Sequence, residues 1–215
     1  MPPPDATEEG SIPELTAARL SLYIRCLEEL EHQGIAKVSS KALAERLNLN
    51  ASQIRKDLAY FGEFGIRGVG YRVPDLRGHL RKILGLDRSH KVVIVGAGNL
   101  GLALADYPGF RKDGFDIVAL LDVVPNKVGQ TSKGGVIIRH VQELADLVQR
   151  EAVSIAITAV PAAVAQDVVD QIVASGVRAI LNFSSAPVRV PAHVKLRNAD
   201  LSVSLETLSF LLAHG

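Results

Sequence analysis

Between residues 14 and 33, Leu15, Leu20, Tyr23, Leu27 and Leu30 recur at the three-to-four-residue interval of an amphipathic helix. Gly34 follows where a left-handed cap would end it. Ser39 or Ser40 can then cap a short helix, KALAERL, which runs into the turn-forming Asn-Leu-Asn at 48–50. Asn50 with Gln53 three residues on has the form of a capping box and opens a further helix, SQIRKDLAY. The glycine-rich FGEFGIRGVGYRV after it reads as a small hairpin. Three helices followed by a hairpin predict a winged helix.

From Lys91 the pattern changes. KVVIV, DIVALLD, GVIIR, VSIAITA and RAILN are short and apolar almost throughout, as strands covered on both faces must be. NLGLALADY, HVQELADLVQR and PAAVAQDVVDQIVASG lie between them and are long enough to cross over a sheet. The alternation predicts a doubly wound parallel sheet. In the closing helix, Leu201, Leu205, Leu208 and Leu212 form one stripe that Val203, Phe210 and Leu211 widen. A helix apolar over most of its circumference needs more than one covering surface, and a second copy of the chain is the natural one. The fold class is therefore α/β: a tail over 1–13, expected to be disordered, a winged-helix domain over 14–76, a linking helix over 77–90, a Rossmann-type domain over 91–198, and a dimerisation helix over 199–215.

Charge sharpens the division. The 215 residues carry a formal net charge of +1, but Lys37 to Lys82 hold ten bases against Glu45, Asp57, Glu63 and Asp75. An anionic partner for the first half follows, or a merely solvated basic face. One cysteine, Cys26, excludes an internal disulfide, and no apolar run reaches the length of about 18 residues that spans a bilayer. The acidic, Pro-rich start does not resemble a secretion signal, so the expected location is the cytoplasm.

Two stretches carry chemistry. The first strand of the sheet leads directly into Gly96-Ala97-Gly98-Asn99-Leu100-Gly101 and then a helix. The glycines of such a loop allow a sharp turn, a close backbone approach to a pyrophosphate, and tight helix–strand packing. Asp122, at the end of the second strand, is placed to accept from adenosine ribose hydroxyls and would repel a 2′-phosphate, which favours NAD(H) over NADP(H). Thr158, Val160 and Pro161, and Asn182 and Phe183, follow later strands where an open sheet binds ligands. Tyr107 and Phe110 could stack on a nicotinamide or pack in the core. In the other half, Ile54, Leu58 and Phe61 share one face of the third helix and turn Ser52, Gln53, Arg55 and Lys56 outward. Arg and Gln are the side chains that read guanine and adenine bidentately. Arg67 at the hairpin tip suits a minor groove. Lys37, Ser39, Lys41, Arg46 and Arg72 are candidates for phosphate contacts, and Tyr71 is a further DNA-contact candidate.

A dehydrogenase would need a proton donor near the nicotinamide. Only His140 directly follows a sheet strand, Glu143 is its one candidate partner, and no substrate domain remains. The nucleotide reads as a signal and the protein as no enzyme. A small oxidoreductase is the rival, and another adenine nucleotide such as coenzyme A is the rival ligand.

TAARLSLYIRCLEEL, VSSKALAERLNLNASQIRKDLAYFGEFGIRGVGY, VGAGNLGLAL, ILNFSSAPVRVP and DLSVSLETLSFLL together resemble the Rex family of redox-sensing transcriptional repressors. The resemblance runs from about Thr16 to the C-terminus. It implies a bacterial homodimer with a C-terminal helix swapped onto the partner, which binds palindromic operator DNA and releases it when NADH occupies the site. It further implies that Gly96 to Gly101 hold the pyrophosphate, that Asp122 holds the ribose, and that Tyr107 and Phe183 lie near the nicotinamide. Arg19 and Asp200 match positions that pair between domains.

Overall fold

A computed structural model describes residues 14–66 and 68–214. The expected tail over 1–13 and Arg67 lie outside the described residues. The chain divides into two compact units that part between Asp87 and Arg88.

The first unit opens with α1 (Glu14–His32), whose Leu20, Tyr23, Leu27 and Leu30 are buried at the predicted spacing, while Leu15 is exposed. Gly34, at φ 73°, supplies the left-handed residue that ends it. A two-residue strand, β1 (Lys37–Val38), leads into α2 (Ser40–Leu47). Ser39 caps α2 by accepting from the Ala42 amide at 3.0 Å, and Asn48, at φ 51°, ends it in the left-handed region that Asn tolerates. Asn50 then caps α3 (Ala51–Ala59) through the Ser52 amide at 2.7 Å. The capping box does not close on its other side, because the Gln53 side chain turns to Asp57 instead.

The predicted hairpin is reduced to one bridge, Ile66 with Gly70. Its outgoing strand, β2 (Tyr71–Arg72), pairs antiparallel with β1, a strand too short to show in the hydrophobic pattern. A Cβ on Gly70 would meet the Val38 carbonyl oxygen at 2.5 Å, so glycine is required where the wing crosses β1. The next helix, α4 (Val73–Ile83), starts earlier than the linker reading places it and buries Val73, Leu76 and Leu80 in the same core as α1, α2 and α3.

The second unit contains β3 (His90–Val95), α5 (Asn99–Ala105), α6 (Pro108–Lys112), β4 (Phe115–Asp122), β5 (Ile138–His140), α7 (Leu144–Glu151), β6 (Ile155–Thr158), α8 (Ala165–Ala174), β7 (Ala179–Asn182), β8 (Lys195–Asn198) and α9 (Leu201–His214). The strands form one parallel sheet in the order β5-β4-β3-β6-β7-β8. Val92 and Ile94 pack into one core layer and Val93 and Val95 into the other, the reason the strands lack polar alternation. The order reverses between β3 and β6, and a ligand crevice is expected outside their carboxyl ends.

Of the described residues of α9, the large apolar ones are all exposed within the chain, from 56% at Leu208 to 88% at Leu212. Among the described residues no helix is long and apolar enough to cross a membrane.

Candidate functional sites

The crevice lies at the switch point. It encloses about 570 Å³ and is lined by Gly96, Gly98, Asp122, Val160 and Pro161 among the predicted residues, together with Val124, Lys127 and Val164. The three glycines have distinct surroundings. A Cβ on Gly96 would strike the Ala159 backbone, and one on Gly101 would penetrate the Gly96 carbonyl. A Cβ on Gly98 would meet nothing within 4 Å. Two glycines thus let backbones touch and the third leaves open space in front of the loop, which is the cradle a pyrophosphate needs. Asn99 and Leu100 form the first turn of α5 behind it.

Asp122 ends β4 at 9% exposure. Its Oδ2 accepts from the Ala97 amide at 2.9 Å and from Lys127 Nζ at 3.0 Å, and its Oδ1 accepts from the Val124 amide at 2.9 Å. Burial pushes this carboxyl up, but the Val124 amide, the Lys127 ammonium and the Ala97 amide outweigh it and hold the group below the ordinary carboxylate range. The acid is therefore ionised, oriented and ready to accept from a ribose hydroxyl. Lys127 escaped sequence reasoning because a lone lysine in a loop carries no spacing signal.

Thr158 and Asn182 are both fully buried and are not among the residues lining the crevice. The Thr158 hydroxyl donates to Asn182 Oδ1 at 2.6 Å, and Asn182 Nδ2 donates to Asn198 Oδ1 at 2.9 Å. Phe183 packs against the second core layer of the sheet. Tyr107 is 57% exposed, stacks edge-on against Phe110 with centroids 5.1 Å apart, and is not among the residues lining the crevice. His140 caps the turn before α7: its Nδ1 accepts from the Gln142 amide while Glu143 accepts from the His140 amide. Glu143 thus meets the backbone of His140 and not its ring.

In the first unit, Lys37, Ser39, Lys41, Arg46, Ser52, Arg55 and Lys56 are exposed, and Gln53 is half-buried. Arg55 donates to Ser40 Oγ at 3.1 Å and to Ser52 Oγ at 2.9 Å, which holds its guanidinium over the start of α3. Ser39, Ser40, Arg55 and the wing residues Ile66 and Gly68 line one groove of about 520 Å³. Tyr71 lines the same groove but is 8% exposed, part of the core, and covered by Gly65, where a Cβ would meet its ring at 2.6 Å. The alternation of β2 turns Tyr71 inward and Arg72 outward.

Arg19, on α1, makes a bidentate pair with Asp57 on α3, Nε to Oδ2 at 2.6 Å and Nη2 to Oδ1 at 2.8 Å. Asp200 caps α9 by accepting from the Ser202 amide at 2.8 Å.

A basic helix-turn-helix unit and a dinucleotide-type crevice in one chain define the class of ligand-responsive transcription factors. Comparison with known proteins agrees in both halves. A family model described as a CoA binding domain matches residues 87–186, and one of DNA-binding protein N-termini matches residues 11–59. The chain is 52% identical to the redox-sensing transcriptional repressor Rex of Syntrophomonas wolfei, over 94% of this chain and 96% of that one. It is 44% identical to Rex of Streptomyces coelicolor, over 95% of this chain and 79% of that one. The crystal structure of RSP with β-NAD⁺ and operator DNA superposes with a TM-score of 0.90 at 39% identity, covering 95% and 94% of the two chains. RSP with β-NADH gives 0.85 at 38% identity, covering 94% of each. The chain belongs to the Rex family of redox-sensing transcriptional repressors.

Proposed function

We propose that the protein is a bacterial, cytoplasmic repressor that binds palindromic operator DNA as a homodimer and is released when NADH occupies the crevice. The observation that carries this reading is the pairing, in one chain, of the Gly96–Gly101 cradle and ionised Asp122 with the exposed polar face of α3. Gly96, Gly98 and Gly101 let the loop approach a pyrophosphate, and Asp122, braced by Lys127, takes the adenosine ribose. The bound dinucleotide supplies no chemistry here; it is a signal. Ser52, Gln53, Arg55 and Lys56 read or grip the DNA, with Lys37, Ser39, Lys41, Arg46 and Arg67 on phosphates or the minor groove. The apolar surface of α9 is covered by a second copy, which places two recognition helices on half-sites about 34 to 36 Å apart. Arg19 and Asp200 pair between domains in the DNA-binding arrangement of the dimer, and Tyr107 and Phe183 lie near the nicotinamide. A ligand shifts such an equilibrium only by its difference in affinity for the two states, typically about 1–3 kcal/mol.

The test is fluorescence anisotropy on a palindromic operator library at stated salt, titrated with NADH and separately with NAD⁺. Release by NADH at concentrations where NAD⁺ does little is the expected result; equal effects of both, or none, would sink the reading. Coenzyme A belongs in the same titration, since a CoA binding domain model matches this half. Asp122→Ala is expected to weaken NADH binding by about 10- to 100-fold, the range of one to two lost charge-assisted hydrogen bonds. Calorimetry checks it, and an unchanged affinity would remove the argument for ribose recognition.

A further inference from the structure

The function proposed above gives Asp57 no part, although it lies on α3 one turn beyond Gln53. It is an acid on the helix that faces DNA, and it is 3% exposed. Four donors converge on its two oxygens: Arg19 Nε and Tyr23 OH on Oδ2 at 2.6 and 2.7 Å, Arg19 Nη2 and Gln53 Nε2 on Oδ1, each at 2.8 Å. Burial pushes this carboxyl up, but hydrogen bonds from Arg19, Tyr23 and Gln53 hold it below the ordinary carboxylate range. Arg19 and Tyr23, both on α1, already tie the two helices together, and Arg19 neutralises the acid. Gln53 is different, being half-buried at the start of α3 among the residues turned outward.

A glutamine amide has an acceptor at one end and two donors at the other, in nearly the same shape, so an unrestrained one can present either end. An ionised carboxylate only accepts. Asp57 can therefore face Nε2 and never Oε1, which leaves Oε1 and the second amide hydrogen pointing away. That acceptor and donor side by side match N6 and N7 of adenine.

We propose that Asp57 is a positioning residue for sequence reading: it holds the Gln53 amide in one orientation, so that Gln53 selects adenine at one position of each operator half-site. The proposal rests on α3 being the base-contacting helix. Arg19 acts one step further back, its bidentate grip fixing the carboxylate that fixes the amide, while Tyr23 bonds the other oxygen, the one Gln53 does not use.

The test measures relative affinities across a randomised palindromic library for the full-length protein and three variants, each checked for folding by its thermal midpoint. The wild type is expected to prefer adenine about tenfold at one position per half-site, and Gln53→Ala to abolish that preference. Asp57→Asn puts an amide donor where only acceptors stood, and the Arg19 guanidinium competes for its one carbonyl oxygen. The Gln53 amide is then free to turn over, and the adenine preference should fall about tenfold while preferences at other positions persist. Tyr23→Phe should lower the thermal midpoint and leave every base preference in place. A loss of affinity for all sequences in equal proportion in Asp57→Asn, with adenine still preferred, would make Asp57 a structural anchor only and overturn the proposal. If Gln53→Ala keeps every preference, the proposal fails while DNA binding stands. If the wild type selects no sequence, the underlying reading of α3 fails. Should Asp57→Asn not fold, hydrogen exchange of the Gln53 side-chain amide in the ¹⁵N-glutamine-labelled wild type decides the matter, its signal assigned by loss in Gln53→Ala. Slowing by about tenfold relative to exposed glutamines supports the restraint, and exchange at their rate overturns it.

Discussion

Gly101→Ala is expected to cost the second unit about 3 kcal/mol or more and to abolish any response to NADH. The added Cβ would lie far inside van der Waals contact with the Gly96 carbonyl oxygen, so the loop cannot keep its shape, and backbone yields far less readily than a side chain tip. The first unit shares none of this packing and should keep its midpoint, so calorimetry should show the two units coming apart in stability. Gly98→Ala is the informative partner. Its φ of −83° suits any residue and its Cβ meets nothing within 4 Å, so the midpoint should stay within a degree or two. Yet that same methyl occupies the space in front of the loop, and NADH affinity should drop by about tenfold or more. If Gly98→Ala bound NADH as tightly as the wild type, the pyrophosphate would not pass that loop.

Leu205→Asp with Leu208→Asp is expected to produce a monomer on sedimentation and to weaken operator binding by about 100-fold or more. Both side chains are more than half exposed in the single chain, so little intrachain packing is lost. In a covered interface each burial is worth about 1.5–3 kcal/mol, and a charge there costs more. A monomer must also grip each half-site separately and forfeits the gain from linking two weak contacts. Unchanged sedimentation would show that α9 is covered by something other than a second copy.

Much of this was legible in the residues. The doubly wound sheet announces itself because both faces of β3, β4, β6 and β7 are covered, which forces continuous apolar runs, and Gly96 to Gly101 stand directly after one of them. The short pieces were not legible. β1 has two residues, and β8, Lys195 to Asn198, reads Lys-Leu-Arg-Asn because it sits at the sheet edge, where polar side chains cost nothing. A period of two does not say which member of Tyr71-Arg72 points inward; the covering glycine at 65 decides it. Asp57 stayed hidden for a different reason. Its role depends on Arg19 and Tyr23, 38 and 34 residues away, and no local spacing joins them.

The single thiol offers a clock. Cys26, on the buried face of α1, is 7% exposed, and burial pushes its ionisation up, so an alkylating reagent meets a reactive thiolate only when that core opens. Its rate of modification then records the opening equilibrium of the first unit, undisturbed by events in the second, where no other cysteine exists to react. Whether operator or nucleotide tightens the DNA-binding unit becomes a matter of counting modified chains against time.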